Sequence, residues 1–502
     1  MIGGMIARWK LLLVGALASR CALAAPVKKC EELAATPSET LFGPYVKIES
    51  AKVVAAGANL PEHCDVRGVI WPEAKFAVKL PVNWNNRFQM VGNGGWAGTI
   101  SIAAVDAAVR LGYAATSTDT GHDAQKEPGT IFAYSSPNNP HAARKAIDFG
   151  YLAVHETALL AKKIIRAYYG TDPQYSYWVG CSTGGRQGLM EAQRYPEDFD
   201  GYVVGAPVLN LTGLQTKSVY NYQFAGSGPG QIKAGESQML SKAFLEKCDA
   251  LDGVKDGLVE NPMKCGFDPA KDLQKCAALP SSVVCFTDPQ IQTLQKIYDG
   301  VRDSHGRRLF PGMPPGGDGA AAAGFNLSES FMKFMAFQPP AGPDWDYHTF
   351  NIDTDPARMA ATSLEIDATI PDLTAVKMRG GKILHYHGWS DPGVSPKMSI
   401  EYHAAAMKTM GAKNTDDFYR LFLVPGMGHC QGGPGCGNVD WLKPVVDWVE
   451  KGIAPTVLTG AHVERGQTTR TRPICAYPNE ARYKGAGSID ASENFTCAEP
   501  AR

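Results

Sequence analysis

Ser182 stands in Gly180-Cys181-Ser182-Thr183-Gly184, after an apolar, aromatic run (Tyr175, Tyr177, Trp178, Val179) and before a helix-like segment through Leu189, Met190 and Ala192. G-x-S-x-G between a strand and a helix is the setting of a nucleophile elbow, in which a sharp turn lifts the hydroxyl above the sheet edge. Bare G-x-S-x-G also occurs by chance, so its weight here comes from the strand before it and the helix after it. A serine hydroxyl needs a base, and on such scaffolds the chain order is serine, then acid, then histidine. Asp391 follows the strand-like run Ile383 to His387, in Gly388-Trp389-Ser390-Asp391-Pro392. His429 lies in the loop Pro425 to Cys430, after the strand-like run Tyr419 to Val424. An aspartate so placed holds the imidazole in one tautomer and stabilises its protonated form. Asp367, Asp372 and Glu401 lack that strand-then-turn setting. Asp119 and His122 precede the nucleophile and read as structural, and His385 and His387 read as sheet or pocket residues.

Two further groups complete an acyl-transfer site. The Thr183 N–H would face an oxyanion formed at Ser182. A glycine-rich loop, Gly92-Asn93-Gly94-Gly95-Trp96-Ala97-Gly98, follows an early strand (Phe88 to Val91), where a second oxyanion donor is placed on such scaffolds. Gly95 is the expected donor, although a plain tight turn has the same composition. Cys181 directly precedes the serine and Cys430 directly follows the histidine, which suggests a Cys181–Cys430 disulfide holding nucleophile and base together.

With its Cys-Ser, Asp and His-Cys arrangement the chain resembles the tannase and feruloyl esterase family of the α/β-hydrolases, which includes enzymes that cleave mono(2-hydroxyethyl) terephthalate. The resemblance covers almost the whole chain beyond the N-terminal leader. It implies a serine esterase acting on small aromatic esters of feruloyl, galloyl or related benzoate type. Cys248-Asp249-Ala250-Leu251-Asp252-Gly253-Val254-Lys255-Asp256-Gly257-Leu258 looks like a calcium loop, because crowded carboxylates need a hard cation and glycines permit the wrap. A solvated acidic turn reads the same way. By the resemblance, a structural Ca²⁺ would be held by Asp249, Asp252 and Asp256 and the carbonyls of Val254 and Leu258. No organic cofactor is implied. A peptidase on the same fold, or a non-catalytic binding protein that kept the scaffold, are the alternatives.

The elements that must position these groups follow from the pattern of the chain. The 502 residues are 44% hydrophobic and 20% charged, with net charge −1, so a large core forms and neither nucleic acid nor an anionic membrane is indicated as a partner. Residues 1–25 read as a signal peptide: Arg8 and Lys10, an apolar core from Leu11, then Ala22-Leu23-Ala24. The expected location is secreted or periplasmic. Cys21 of the twelve cysteines falls in the leader; export with the other eleven predicts disulfides, and local spacing suggests Cys30–Cys64, Cys248–Cys265, Cys276–Cys285 and Cys475–Cys497 besides Cys181–Cys430, with Cys436 left over. The resemblance supports the same pairs.

The fold class is α/β: an α/β-hydrolase core sheet with a large inserted lid domain. Residues 26–205 form the first part of the core and 372–502 the second. Between them, 206–371 lose the strand–helix rhythm and are too long for a loop. Within that segment Phe331, Phe334, Phe337, Trp345 and Tyr347 read either as an aromatic pocket wall or as lid core. His141 to Tyr169 predicts one long helix that stops at Gly170.

Overall fold

The computed structural model describes residues 25–35, 37, 42–276, 285–316 and 325–500. The expected leader up to residue 24 lies outside the described residues. Fifteen strands occur among them: β1 (Val46–Val54), β2 (His63–Ile70), β3 (Ala74–Pro81), β4 (Arg87–Val91), β5 (Ala114–Thr118), β6 (Tyr175–Cys181), β7 (Gly201–Gly205), β8 (Val301–Arg302), β9 (Arg308–Phe310), β10 (Lys382–Gly388), β11 (Tyr419–Val424), β12 (Val457–Glu464), β13 (Gln467–Cys475), β14 (Glu480–Tyr483) and β15 (Phe495–Ala498).

Nine strands make one sheet in the order β1-β2-β3-β5-β4-β6-β7-β10-β11. From β5 to β11 every neighbouring pair is parallel. Helices cover both faces of such a sheet, so its strands read as continuous apolar runs. Every residue of β5 and β7 is buried accordingly. β1, at the antiparallel edge, buries only Ile48 and Ala51 and leaves Val53 and Val54 exposed. From β4 the chain crosses to β5 on one side, then returns to β6 on the other. The crevice beyond the carboxyl ends of β4 and β6 is therefore a topological switch point, where ligands bind in open α/β sheets. The Gly92–Gly98 loop leaves β4 there and Ser182 leaves β6.

The segment expected as one helix from His141 is interrupted. Ala142–Ile147 is α-helical, Asp148–Leu152 forms a π-helical turn, and Ala153–Tyr169 resumes the α-helix up to Gly170 at φ +78°. The widened turn frees carbonyls for an outside donor. Arg186, fully buried, donates to the carbonyls of Phe149 at 2.9 Å and Gly150 at 2.8 Å. No sequence period announces such a turn, because its partner lies on another helix.

Between β7 and β10 the chain adds helices Leu211–Ala225, Ala234–Cys248, Asp288–Asp299 and Phe325–Phe334 and the β8–β9 hairpin, none of which joins the large sheet. Part of this segment keeps its own apolar cluster, with Leu240, Phe244, Phe286, Ile291 and Leu294. Leu211, Leu214, Phe331, Met332 and Phe337 instead merge with the core under the sheet. After β11 and the Leu442–Lys451 helix come two hairpins, β12–β13 and β14–β15.

The structure joins Cys30 to Cys64, Cys181 to Cys430, Cys248 to Cys265, Cys276 to Cys285 and Cys475 to Cys497. Cys436 is a buried free thiol.

Candidate active site

Ser182 caps the Thr183–Arg194 helix at φ 63° and ψ −121°. A non-glycine residue held there stores on the order of 1–3 kcal/mol of strain and persists only where its surroundings overdetermine it. The Ser182 N–H donates to the Gly205 carbonyl at 2.9 Å, and the Ser182 carbonyl accepts from Val208. Two glycines let strand and helix close on each other. A Cβ on Gly180 would come within 2.5 Å of the Gly184 oxygen, and one on Gly185 within 2.3 Å of the Gly205 oxygen.

The glycine-rich loop is fastened over this elbow. Asn93 and Gln187 are paired reciprocally: the Asn93 N–H donates to Gln187 Oε1 at 3.0 Å, and Gln187 Nε2 donates to Asn93 Oδ1 at 2.9 Å. Thr183 Oγ1 donates to the Gly95 carbonyl at 2.5 Å. Gly95, at φ +54°, and Thr183 line the same cavity as Ser182.

His429 lines that cavity too and meets the buried Asp391 behind it. His429 Nδ1 lies 2.5 Å from Asp391 Oδ2. The other carboxylate oxygen, Oδ1, accepts the N–H groups of Gly393 and Val394, each at 2.9 Å. Burial opposes ionisation of Asp391, yet hydrogen bonds from His387 and His429 outweigh it and hold the carboxyl well below the usual carboxylate range. The disulfide beside the two loops brings the Cα atoms of Cys181 and Cys430 to 5.9 Å across 249 residues of chain.

Ser182 and His429 open onto one cavity of about 250 Å³. Its wall is mainly apolar, with Trp96, Val208, Leu211, Leu214, Leu327 and Val394, and with Gln215 and Ser218 among its few polar groups. Phe331, Phe334, Phe337, Trp345 and Tyr347 do not line it. Phe331 and Phe337 are buried in the main core and Trp345 and Tyr347 pack against it, while Phe334 faces a separate groove. Sequence reasoning missed Trp96, the aromatic of the wall, although it stands beside Gly95. Phe331 supports it from behind, stacked at 5.7 Å and 2°.

Asp119 and His122 are buried away from the triad geometry. Asp119 accepts from the N–H groups of Lys75 and Gly121, each at 2.9 Å, and steadies the turn under the glycine-rich loop. His155, Glu191 and Asp198 bring three ligand-type atoms within 4.8 Å. His155 Nδ1 sits only 2.6 Å from Asp198 Oδ2, closer than atoms sharing one ion at ~2.0–2.1 Å would stand. Lys162 Nζ approaches Asp198 as well, at 3.9 Å, and burial beside Asp198 holds the Glu191 carboxyl well above the usual carboxylate range, so these groups read as a polar cluster centred on Asp198 behind the elbow helix.

The Asp249–Leu258 loop packs against the C-terminal strands. A cavity of about 10 Å³ is lined there by Asp252, Val254, Asp256, Leu258, Glu260 and Arg472. Roughly one probe sphere of space admits a single ion or water. Burial pushes the carboxyl of Asp252 up to about 6 and that of Glu260 up to about 8, with neighbouring carboxylates adding to both. Such oxygens fit a hard cation, which would offset their mutual repulsion. Asp256 is bonded to the Arg472 guanidinium. Asp249 turns its oxygens to the N–H groups of Asp256 and Gly257 and does not line this cavity. Glu260, absent from the sequence-based ligand set, does.

The parallel sheet with its switch-point crevice, and a strained serine at that crevice, are those of an α/β-hydrolase. The profile described as "Tannase and feruloyl esterase" matches residues 58–498, and the chain belongs to that family of carboxylic ester hydrolases. It is 33% identical over 534 aligned residues to mono(2-hydroxyethyl) terephthalate hydrolase of Piscinibacter sakaiensis, covering 90% of this chain and 87% of that one. It is 32% identical over 445 residues to a probable feruloyl esterase B-1 of Aspergillus fumigatus, covering 83% of this chain and 81% of that one. The crystal structure of feruloyl esterase B from Aspergillus oryzae superposes with a TM-score of 0.85 at 26% identity, covering 94% of this chain and 100% of that chain.

Proposed function

We propose that the protein is an exported serine esterase that hydrolyses small, neutral aromatic esters through an acyl-enzyme. Ser182 Oγ attacks the ester carbonyl while His429, its Nδ1 engaged by Asp391, takes the proton at Nε2. The N–H groups of Thr183 and Gly95 receive the oxyanion. The alcohol leaves with the proton from His429, and water then releases the acid by the same steps in reverse. Residues 206–371 act as the lid that completes the acyl pocket. A calcium ion at Asp252, Asp256 and neighbouring oxygens is structural, tying the lid to the C-terminal hairpins. Export is supported by the five disulfides and the leader-like N-terminus.

The observation that carries the substrate reading is the wall of the cavity onto which Ser182 and His429 open. Its lining, among the described residues, includes no lysine or arginine to offset a second carboxylate on the acyl group. Away from Ser182, Thr183 and His429 the described lining offers only Gln215 and Ser218 as polar side chains, too few to pair three galloyl hydroxyls, and unpaired polar groups are costly. A flat ring with few polar substituents fits best. The test is a hydrolysis panel of methyl ferulate, methyl gallate and mono(2-hydroxyethyl) terephthalate, with active sites counted by a serine-directed fluorophosphonate. The expected order places methyl ferulate first by kcat/KM. Fastest turnover of the terephthalate monoester would overturn the neutral-acyl reading.

A further inference from the structure

Behind Asp391 the structure holds an unbroken line of hydrogen bonds in which every member is buried at 0% exposure. His387 Nε2 approaches two acceptors, Asp391 Oδ2 at 3.2 Å and the Val394 carbonyl at 3.0 Å. His387 Nδ1 lies 2.7 Å from Ser399 Oγ. Ser399 Oγ lies 2.8 Å from His385 Nε2, and His385 Nδ1 lies 2.7 Å from the Tyr419 hydroxyl.

The chemistry of the atoms fixes the first bond, and a neutral His387 ring then sets the direction of the rest. A carboxylate and a carbonyl only accept, so His387 Nε2 carries a hydrogen. A second proton on that ring would bury a charge whose only counter-charge is already engaged by His429, so Nδ1 accepts. Ser399 must then donate to it, and in turn accept from His385 Nε2–H. That leaves His385 Nδ1 as the acceptor of the tyrosine proton. Burial also pushes His385 well below the usual imidazole range, with His387 and His403 adding to the effect.

We infer that Tyr419, His385, Ser399 and His387 form a one-way hydrogen-bond relay that positions the triad acid. The relay rests on the reading of Asp391 as that acid. Asp391 Oδ2 is the oxygen that also meets His429, so this oxygen takes one donor from the base and one from the relay. Successive aligned hydrogen bonds polarise one another, and the relay thus draws charge on Oδ2 away from the base. β10 supplies both histidines on one face, β11 supplies the tyrosine, and the Pro396–Met410 helix supplies the serine that bridges them. The other titratable groups facing this line are Lys217, whose Nζ donates to the Gly393 carbonyl beside Asp391, and His403, Tyr402 and Arg420 around its far end.

None of the four relay residues lines the substrate cavity, so breaking the relay acts on turnover and on proton affinity rather than on substrate binding. The experiment compares Ser399→Ala, Ser399→Thr and Tyr419→Phe with the parent, each normalised to fluorophosphonate-titrated sites and checked by thermal melting. In Ser399→Ala, kcat should fall on the order of tenfold with KM within about twofold. The acid limb of kcat/KM should move up by about half a pH unit, because more of the carboxylate's charge then faces the base. Tyr419→Phe should move the limb the same way by less, and Ser399→Thr, which keeps the hydroxyl, should restore it. A merely structural role would lower the titratable fraction and leave the limb in place. Parental kcat and pH profile in Ser399→Ala, alongside an inactive Asp391→Asn, would overturn the relay alone. Full activity in Asp391→Asn would overturn the acid assignment and the relay together.

Discussion

His429 keeps 34% of its side-chain surface exposed, whereas Asp391, bonded to it at 2.5 Å, exposes none. The pair spans the boundary between the sealed interior and the substrate cavity. The charge that never moves sits inside, where low dielectric strengthens its pull. The ring that exchanges protons with substrate in the proposed mechanism reaches out.

Replacement of Ser182 by alanine tests the centre of this arrangement. Ester turnover should fall on the order of 10⁴-fold or more, since members of such a triad act as a unit. The melting temperature should not drop, because alanine keeps the backbone conformation and removes only the hydroxyl. Retained turnover in the folded variant would exclude Ser182 as the nucleophile.

The Cys181–Cys430 bond should matter more for activity than for stability. A crosslink closing so long a loop contributes roughly 2–4 kcal/mol on the entropic account. Four other disulfides and a nine-stranded sheet remain without it. The double Cys181→Ala, Cys430→Ala variant should stay folded at room temperature while kcat collapses. Equal fractional losses in kcat and in unfolding free energy would contradict a positioning role.

Calcium should stabilise the protein without entering the chemistry. A ligand bound only by the native state adds about 2.7 kcal/mol at a hundredfold excess over its Kd. Chelation should therefore lower the melting temperature, added Ca²⁺ should restore it, and Asp252→Ala should abolish the response. Elemental analysis finding no calcium, with a melting curve indifferent to EDTA, would rule the site out.

Burial pushes the Asp119 carboxyl up to about 7, against hydrogen bonds from Gly121 and Lys75 that pull it down. A carboxyl raised in the folded state favours folding while it stays protonated. That contribution is full below the unfolded value of 3.8 and is lost as pH rises towards about 7. Asp119→Asn, which keeps an acceptor for both N–H groups, should therefore be more stable than the parent above pH 7 by roughly 2–4 kcal/mol. The gap should close towards pH 4. A pH-independent difference in melting temperature between the two proteins would refute this account.

What could be read from the chain was set by how local each cue is. The elbow around Ser182, the strand-then-turn at Asp391 and the loop of His429 are each written within about ten neighbouring residues, so their settings are legible one by one. The sheet follows from the same apolar runs. The π-helical turn at Asp148–Leu152 is not legible, because its carbonyls are taken by Arg186 from another helix. Trp96 joins the cavity wall, and Phe331 does not, for a reason that exists only in three dimensions: the two rings stack, and one of them is in front. Glu260 escaped notice because a lone glutamate carries no spacing signal until the tail folds against it. His385 and His387 were legible as sheet residues, but their partners Ser399 and Tyr419 come from two other elements.

Arg186 makes one more bond, from Nη1 to the carbonyl of Ile366 at 3.0 Å, on the return leg of the inserted segment. The outgoing leg starts at Gly205, whose carbonyl holds the Ser182 N–H. Both legs are thus pinned to the helix that Ser182 caps. If the segment is the lid proposed above, its freedom to open lies in its middle. Under the lid reading proposed for residues 206–371, the remote Leu240–Leu294 cluster is then the part whose packing sets the motion, and loosening it should hasten product escape without touching a single reacting atom.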